Sequence, residues 1–377
     1  MKELNNPFVV YGYKGSKYFC DREKETEMII KGLENERNIA LIAPRRIGKT
    51  GLIHHVFSQM KERQPDVCCI YFDILSTKTL EQFVQLMARN VLGRLDTPTQ
   101  AAFRKVQDFF SAFRPTMTID AVTGMPTFSL DISKSEEAHS LQRIFEYLGQ
   151  SEKRCYIAID EFQQITKYND VDAEALLRSF IQFVPNVYFI FAGSKQHMMS
   201  DIFLSPERPL YQGAQVVAIK EIDESVYRQF ANTFLTKRDQ QLTEDVFRYL
   251  YNKVDGQTWY MQATLNRLYS NQRGAITFQD VDAAIQELID EEETAFENYY
   301  SSLTMNQASL LTAIACEQRV KSPMAQPFIA KYNLPALSSI KTALASLLDS
   351  QFVYQYNGSY IVYDRFFGMW LRERVVK

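Results

Sequence analysis

The sequence predicts an α/β domain on a buried parallel sheet, then a helical domain, then a C-terminal domain of three helices and a hairpin. Three observations predict it. Short, wholly apolar runs alternate with amphipathic segments over residues 7–220, the pattern of a sheet covered by helices on both faces. Strand-like runs then stop, and residues 221–300 carry only helical spacing. Finally, Asn357-Gly358 stands between two β-prone runs after three helical segments, a strong hairpin signal.

The elements follow in order. Residues 21–37 are charged, with apolar positions at Met28, Ile29, Ile30 and Leu33, and read as a surface helix. Residues 38–43 read as a strand, 44–50 as a loop, and 51–57 as helical. Residues 67–74 form a second buried strand, and Ser76 and Thr77 precede a helix over about 80–92. Residues 118–122 and 127–132, with Thr123-Gly124-Met125-Pro126 between them, read as a β-hairpin inserted near 116–132. A helix over 136–148 leads to a strand at 154–159, and a helix over 173–183 leads to a strand at 187–192. Residues 216–219 close a fifth strand. Helices are expected at 224–235, 244–254, 260–269 and 278–300, the last carrying the acidic run 290–293. In the C-terminal domain they fall at 306–317, 326–332 and 337–348, followed by strands at 352–356 and 360–363, the outline of a winged helix-turn-helix. The domain boundaries expected are 1–220, 221–300 and 301–377.

Composition removes several function classes. The 377 residues carry a formal net charge of −3, so no global basic field points to nucleic acid, and any such contact needs a local patch. The five cysteines are odd in number and form no C-x-x-C pair, so buried reduced thiols in a cytoplasmic protein are expected rather than disulfides or a metal site. No run of about 18 apolar residues is present, so no membrane span is expected. The start of the chain lacks the apolar segment of a secretion signal.

The loop Ala43-Pro44-Arg45-Arg46-Ile47-Gly48-Lys49-Thr50, opening at Gly51 into a helix, carries the chemistry. A turn between strand and helix exposes free backbone N–H groups that converge on an anion. Gly48 lets the backbone approach, Lys49 reaches the β/γ-phosphates of ATP, and the Thr50 hydroxyl holds Mg²⁺. Arg45 and Arg46 add positive charge. Ala43 stands where the usual P-loop (Walker A) pattern has glycine. Alanine suits that place unless it requires a positive φ.

Asp160 and Glu161 end the 154–159 strand, at the edge where ligands bind in open α/β sheets. Asp160 is the candidate second Mg²⁺ ligand and Glu161 the candidate general base for an attacking water. Ser194 ends the neighbouring apolar strand, where it either senses the γ-phosphate or simply makes a turn.

These residues, with Asn6-Pro7-Phe8, Tyr18-Phe19-Cys20-Asp21-Arg22-Glu23-Lys24-Glu25, IAIDEFQQI at 157–165, FAGSKQHMM at 191–199, RPLYQ at 208–212 and YIVYDRFF at 360–367, resemble the archaeal-type ATPase family of the STAND/AAA+ superfamily, particularly its Bacteroidetes branch. The resemblance covers nearly the whole chain. It implies an ASCE/AAA+-like P-loop NTPase domain, a helical lid and a winged helix, with ATP and Mg as ligands and ATP hydrolysis as the activity. It implies that Phe19, Arg22 and Glu23 lie by the nucleotide. Gly256-Gln257-Thr258-Trp259-Tyr260 is similar to the lid motif of such ATPases, with Thr258 where proline is usual. Arg178 and Arg208 are candidates for a charge on the γ-phosphate, or else ordinary surface arginines.

The third helix of the C-terminal domain carries one lysine, Lys341, and the wing Asn357-Gly358-Ser359 carries no cation. Phosphate binding needs several. A protein contact or self-association is therefore expected ahead of DNA, with Lys321, Lys331, Lys341 and Arg365 as the residues a DNA face would use. The reading is an ATP-driven switch, the alternative an ATP-regulated initiator-like DNA-binding protein.

Overall fold

The computed structural model describes residues 3–92, 94–95, 116–119, 126–129, 137–168, 172–271 and 274–375. The chain divides into two compact units, Tyr11–Ile222 and Met1–Val10 with Asp223–Lys377.

The first unit holds strands β1 (Ile39–Ile42), β2 (Cys68–Asp73), β3 (Thr116–Ile119), β4 (Pro126–Ser129), β5 (Cys155–Asp160), β6 (Val187–Gly193) and β7 (Gln215–Ala218). Its helices are α1 (Glu23–Glu34), α2 (Lys49–Arg63), α3 (Leu80–Val91), α4 (Glu137–Gly149), α5 (Ala173–Ile181) and α6 (Gln196–Leu204). Five strands form a parallel sheet in the order β2-β5-β6-β1-β7. The alternation of side chains along each strand splits its residues between two cores. Ile70, Phe72, Ile157, Ile159, Phe189 and Phe191 face α3 and α4, while Leu41, Tyr156, Ala158, Ile190 and Ala192 face α1 and α2. All six positions of β5 are buried, which explains why its sequence is apolar without alternation. β3 and β4 pair antiparallel as a separate hairpin; of the turn expected at 123–126, Pro126 instead begins β4, while 123–125 and the residues expected to extend the strands, 120–122 and 130–132, lie outside the described residues.

The second unit begins with α7 (Glu224–Leu235), α8 (Glu244–Lys253), α9 (Thr258–Asn271), α10 (Phe278–Glu291) and α11 (Glu293–Ser301). One helix was expected over 278–300; two form, broken at Glu292, whose φ is −97° and ψ 1°. The run Asp290-Glu291-Glu292-Glu293 puts like charges on adjacent turns, which disfavours a continuous helix. The residues through Val10, read from sequence as part of the α/β domain, belong with this unit. Phe8 is fully buried and meets Phe230, Phe234 and Tyr269 edge-on at 6.5, 6.0 and 5.8 Å. Asn266 donates its amide to the Phe8 carbonyl at 2.6 Å, and Asn6 donates to the Asn266 carbonyl at 2.9 Å.

The chain continues through α12 (Met305–Glu317), α13 (Gln326–Lys331) and α14 (Leu337–Asp349) to β8 (Val353–Tyr356), β9 (Ser359–Val362) and α15 (Arg365–Trp370). Asn357 and Gly358 both take positive φ, 48° and 73°, as a two-residue hairpin turn demands. α15 was not foreseen, because its apolar run carries no polar face. Its N-terminus is capped by Asp364, which accepts from the Phe366 and Phe367 N–H groups, and Phe366, Phe367 and Trp370 are buried. Among the described residues no helix is long and apolar enough to cross a membrane.

Phe8→Ala removes a ring that closes an aromatic cluster, so a loss of about 3–5 kcal/mol is expected in the second unit. Native-state hydrogen exchange in α9 measures it as a matching loss of amide protection. Unchanged exchange there contradicts the docking of this segment.

Candidate functional site

β1 lies between β6 and β7, and β6 separates it from β5. Ile42 stands in register with Gly193, and Ile159 with Phe191. The loop leaving β1, the acids ending β5 and the serine after β6 therefore emerge at one sheet edge. The Ala43 N–H donates to the Gly193 carbonyl at 3.3 Å, so Ala43 simply extends the strand. The positive φ angles of the loop fall on Arg46 (64°) and Gly48 (95°) instead, which is why alanine is tolerated at the first position. α2 starts at Lys49 with no side-chain cap, leaving its first-turn N–H groups without a side-chain acceptor.

Lys49, Asp160 and Glu161 are 7%, 3% and 8% exposed. The Lys49 ammonium lies 2.8 Å from Asp160 Oδ1 and 3.3 Å from Glu161 Oε1. Asp160 Oδ2 accepts from the Thr50 hydroxyl at 2.9 Å and from the Tyr71 hydroxyl at 3.0 Å. Glu161 Oε2 accepts from Ser194 Oγ at 2.7 Å and Gln163 Nε2 at 2.6 Å. Burial alone would raise both carboxyl groups, but the Lys49 charge and these hydrogen bonds together hold them below their ordinary values. Glu161 takes a left-handed backbone, φ 54°, a strained conformation for a non-glycine residue of the kind that clusters at functional sites.

Arg22 does not stand open to a ligand. It is 3% exposed, donates to the Ile47 carbonyl at 3.3 Å and pairs with Glu25 at 3.1 Å, so it braces the loop from behind. The Phe19 ring stacks on His55, with centroids 4.4 Å apart, and lies against Gly51, where a Cβ would sit 3.4 Å from the ring. His55 is held in turn by the Tyr13 hydroxyl at 2.9 Å and Gln59 at 3.0 Å. Arg178 donates to the Pro209 carbonyl, and Arg208 pairs with Glu174 at 2.5 Å and Asp201 at 3.4 Å. Both arginines are thus engaged away from the loop. Pro44 and Ile47 are buried within the loop, and Arg45 and Arg46 are half-buried.

Two members of the cluster were missed by sequence reasoning. Tyr71 lies on β2, in register with Ala158, and the alternation Cys69, Tyr71, Asp73 would have placed it on the face of α2. Gln163 follows the acid pair by two residues. Only the folded turn reveals that it reaches back to Glu161.

A family model described as an ATPase domain predominantly from Archaea matches residues 19–263, and one described as a probable winged helix domain matches residues 294–373. A solved Walker-type ATPase of Pyrococcus abyssi is similar over 97% of this chain and 99% of that one, at 18% identity and a TM-score of 0.65. The ORC1 protein of Aeropyrum pernix, solved in complex with DNA, is similar over 97% and 96%, at 13% identity and a TM-score of 0.55. The ORC2 protein of the same organism, solved as ADPNP-ADP complexes, is similar over 94% and 95%, at 14% identity and a TM-score of 0.52. At these identities the likeness shows the fold. No curated protein matches the chain.

Lys49→Met leaves two buried carboxylates without their counter-charge, and a loss of about 3–5 kcal/mol is expected at neutral pH. Asp160 and Glu161 titrate below their unfolded values, so in the parent they contribute stability above an unfolded value of about 4 and lose it as pH falls through their native values. In the variant both carboxyl groups sit above their unfolded values, and protonation relieves them. The gap between parent and variant in urea unfolding therefore narrows as pH falls from 7 toward 4. A constant gap contradicts the ion-pair account.

Proposed function

The chain belongs to the family of ATPase domains found predominantly in Archaea, and on that premise we propose that it is a Mg²⁺-dependent ATPase acting as a nucleotide-driven conformational switch. The observation that carries this reading is the buried Lys49–Asp160–Glu161 cluster beside an uncapped helix N-terminus. The residues fit both ligands. The backbone of residues 45–51 offers N–H donors to phosphate, Pro44 having none, and Lys49 offers the charge. Thr50 Oγ1 and Asp160 Oδ2, 2.9 Å apart, are hard oxygen donors meeting at one point. Among the described residues no three or more His, Cys, Asp or Glu side chains are grouped so as to hold a metal ion by themselves. The Mg²⁺ would thus be held by one hydroxyl, one carboxylate and phosphate oxygens, its usual preference.

Lys49 leaves the carboxylates for the β/γ-phosphates when nucleotide binds. Glu161 then loses its counter-charge and becomes free to take a proton from water at Oε1, while Gln163 and Ser194 keep Oε2 in place. Ser194 thereby reports the state of Glu161 to β6. The Bacteroidetes assignment rests on sequence segments alone, and a cytoplasmic setting is supported by the five free cysteines.

A second reading, an ATP-regulated DNA-binding protein of the initiator kind, is favoured by the winged-helix match and by the fold likeness to ORC1, solved with DNA. Charge argues the other way. Arg319 and Arg365 both pair with Asp255, Lys331 pairs with Glu317, and Arg372 donates to the Ala315 carbonyl. Within residues 301–373 Lys321 and Lys341 stand outside these pairs, and on that charge pattern we place a protein partner or self-association ahead of DNA.

Glu161→Gln is expected to keep ATP affinity and lose turnover by about 10²-fold or more, whereas Lys49→Ala loses binding. An Lys49→Ala protein that binds ATP as well as the parent ends the proposal. Duplex binding, followed by anisotropy across salt, is expected to be weak, with a log–log slope of about −2 or shallower. Tight binding that Lys341→Glu abolishes would install the second reading.

A further inference from the structure

The α/β unit carries a second concavity, beside the loop cluster and sharing Tyr71 with it. A cavity of about 450 Å³ opens between α2 and the edge strand β2, a volume suited to a small organic ligand. Tyr13, His54 and Tyr71 line it, with the His54 and Tyr71 rings 4.8 Å apart. Burial pushes the His54 imidazole below its ordinary value, so this part of the wall is neutral and aromatic. Ser58, Lys61 and Arg94 also line it. His54, Ser58 and Lys61 share one face of α2, spaced so that Lys61 lies on the order of 10 Å beyond His54. Both Lys61 and Arg94 act on the Cys68 thiol at the far end of β2 from Tyr71. The cavity thus has an aromatic end near Asp160 and a cationic end away from it. No carboxylate is among its lining residues.

We propose that this cavity binds a nucleoside monophosphate, its base against the aromatic end and its phosphate on Lys61 and Arg94. The ring wall suits a planar base. The two cations and the Ser58 hydroxyl suit a phosphate dianion. The ligand acts on the loop site through Tyr71, whose hydroxyl donates to the same Asp160 oxygen that accepts from Thr50. Tyr71 is a positioning residue, and this second step rests on the ATPase reading above.

The test uses the full chain and AMP, with adenosine and inorganic phosphate as separate probes, by calorimetry. One AMP is expected to bind, at least tenfold more tightly than either fragment. Lys61→Glu with Arg94→Glu, both on exposed positions outside the loop cluster, is expected to weaken AMP at least tenfold and leave ATP affinity as in the parent. AMP affinity unchanged in that double variant, or equal affinity for phosphate alone, overturns the site. So does loss of AMP binding when ATP just saturates the loop, since AMP is then a loop ligand. In the parent, AMP is expected to change ATP turnover at least twofold, and Tyr71→Phe to keep AMP binding while losing that effect. AMP that binds without changing turnover overturns the coupling. A protein that binds AMP but hydrolyses no ATP leaves the site standing and ends the ATPase reading instead.

Discussion

The pairing of the Lys49 ammonium with two nearly dry carboxylates is the constraint on which the site depends. Three charges removed from water cost several kcal/mol each unless they compensate one another. Here one cation faces two anions at 2.8 and 3.3 Å, so the cluster retains a net negative charge. The hydroxyls of Thr50, Tyr71 and Ser194, the Gln163 amide and the Glu161 backbone N–H all donate to the carboxylates. That is the electrostatic condition of a place that accepts a cation readily. It is also one in which removing Lys49 to phosphate has an immediate consequence for Asp160 and Glu161.

The sheet order makes this pairing geometrically available. With β6 inserted between the loop strand and the acidic strand, Ser194 falls between the lysine and the glutamate rather than to one side. Close packing then fixes the glutamate. A Cβ at Gly193 would lie 2.4 Å from both Gln163 Oε1 and Met199 Sδ, so glycine at the end of β6 is what admits the Gln163 side chain beneath Glu161. The left-handed turn at Glu161 aims its carboxylate back over the sheet edge. None of these requirements concerns stability alone. Each sets the position of one oxygen relative to Lys49.

The buried strands were legible because CYIAI and VYFIFA are short, β-prone apolar runs, the pattern of a strand covered on both faces. The loop was legible because the strand–turn–helix context accompanied GKT. What escaped was long-range. Alternation puts Tyr71 on the face of α2, but its meeting with Asp160 comes from the pairing of β2 with β5, which no local pattern encodes. The role of Arg22 inverted: a charged helix start reads as exposed, yet its left-handed backbone (φ 75°) turns the guanidinium inward to the Ile47 carbonyl. The N-terminal segment escaped because Phe8 finds its partners more than two hundred residues away. α15 escaped because burial on all sides removes the periodicity by which helices are recognised.

The C-terminal unit shows how internal pairing decides external chemistry. Asp255 and Gly256 both take positive φ, 53° and 62°, and a Cβ at Gly256 would lie 2.4 Å from the Tyr251 ring, so this turn is fixed as glycine requires. From it Asp255 holds Arg319 at 2.6 Å and Arg365 at 2.9 Å, and Gln257 donates to the Tyr354 hydroxyl at 3.3 Å. Arg365 is 8% exposed and donates also to Tyr354 and the Val362 carbonyl. The segment that resembles a lid motif is therefore bonded to the hairpin through Gln257 and Arg365, and Arg365 is one of the residues that a duplex-binding face would use. Arg365, buried and paired with Asp255, releases no counterions from DNA, whereas the Arg319 side chain is 45% exposed. The same bonds tie the turn at 255–257 to β8 and to the start of α15. The winged helix and the helical segment before it are thus joined by side-chain bonds within one compact unit.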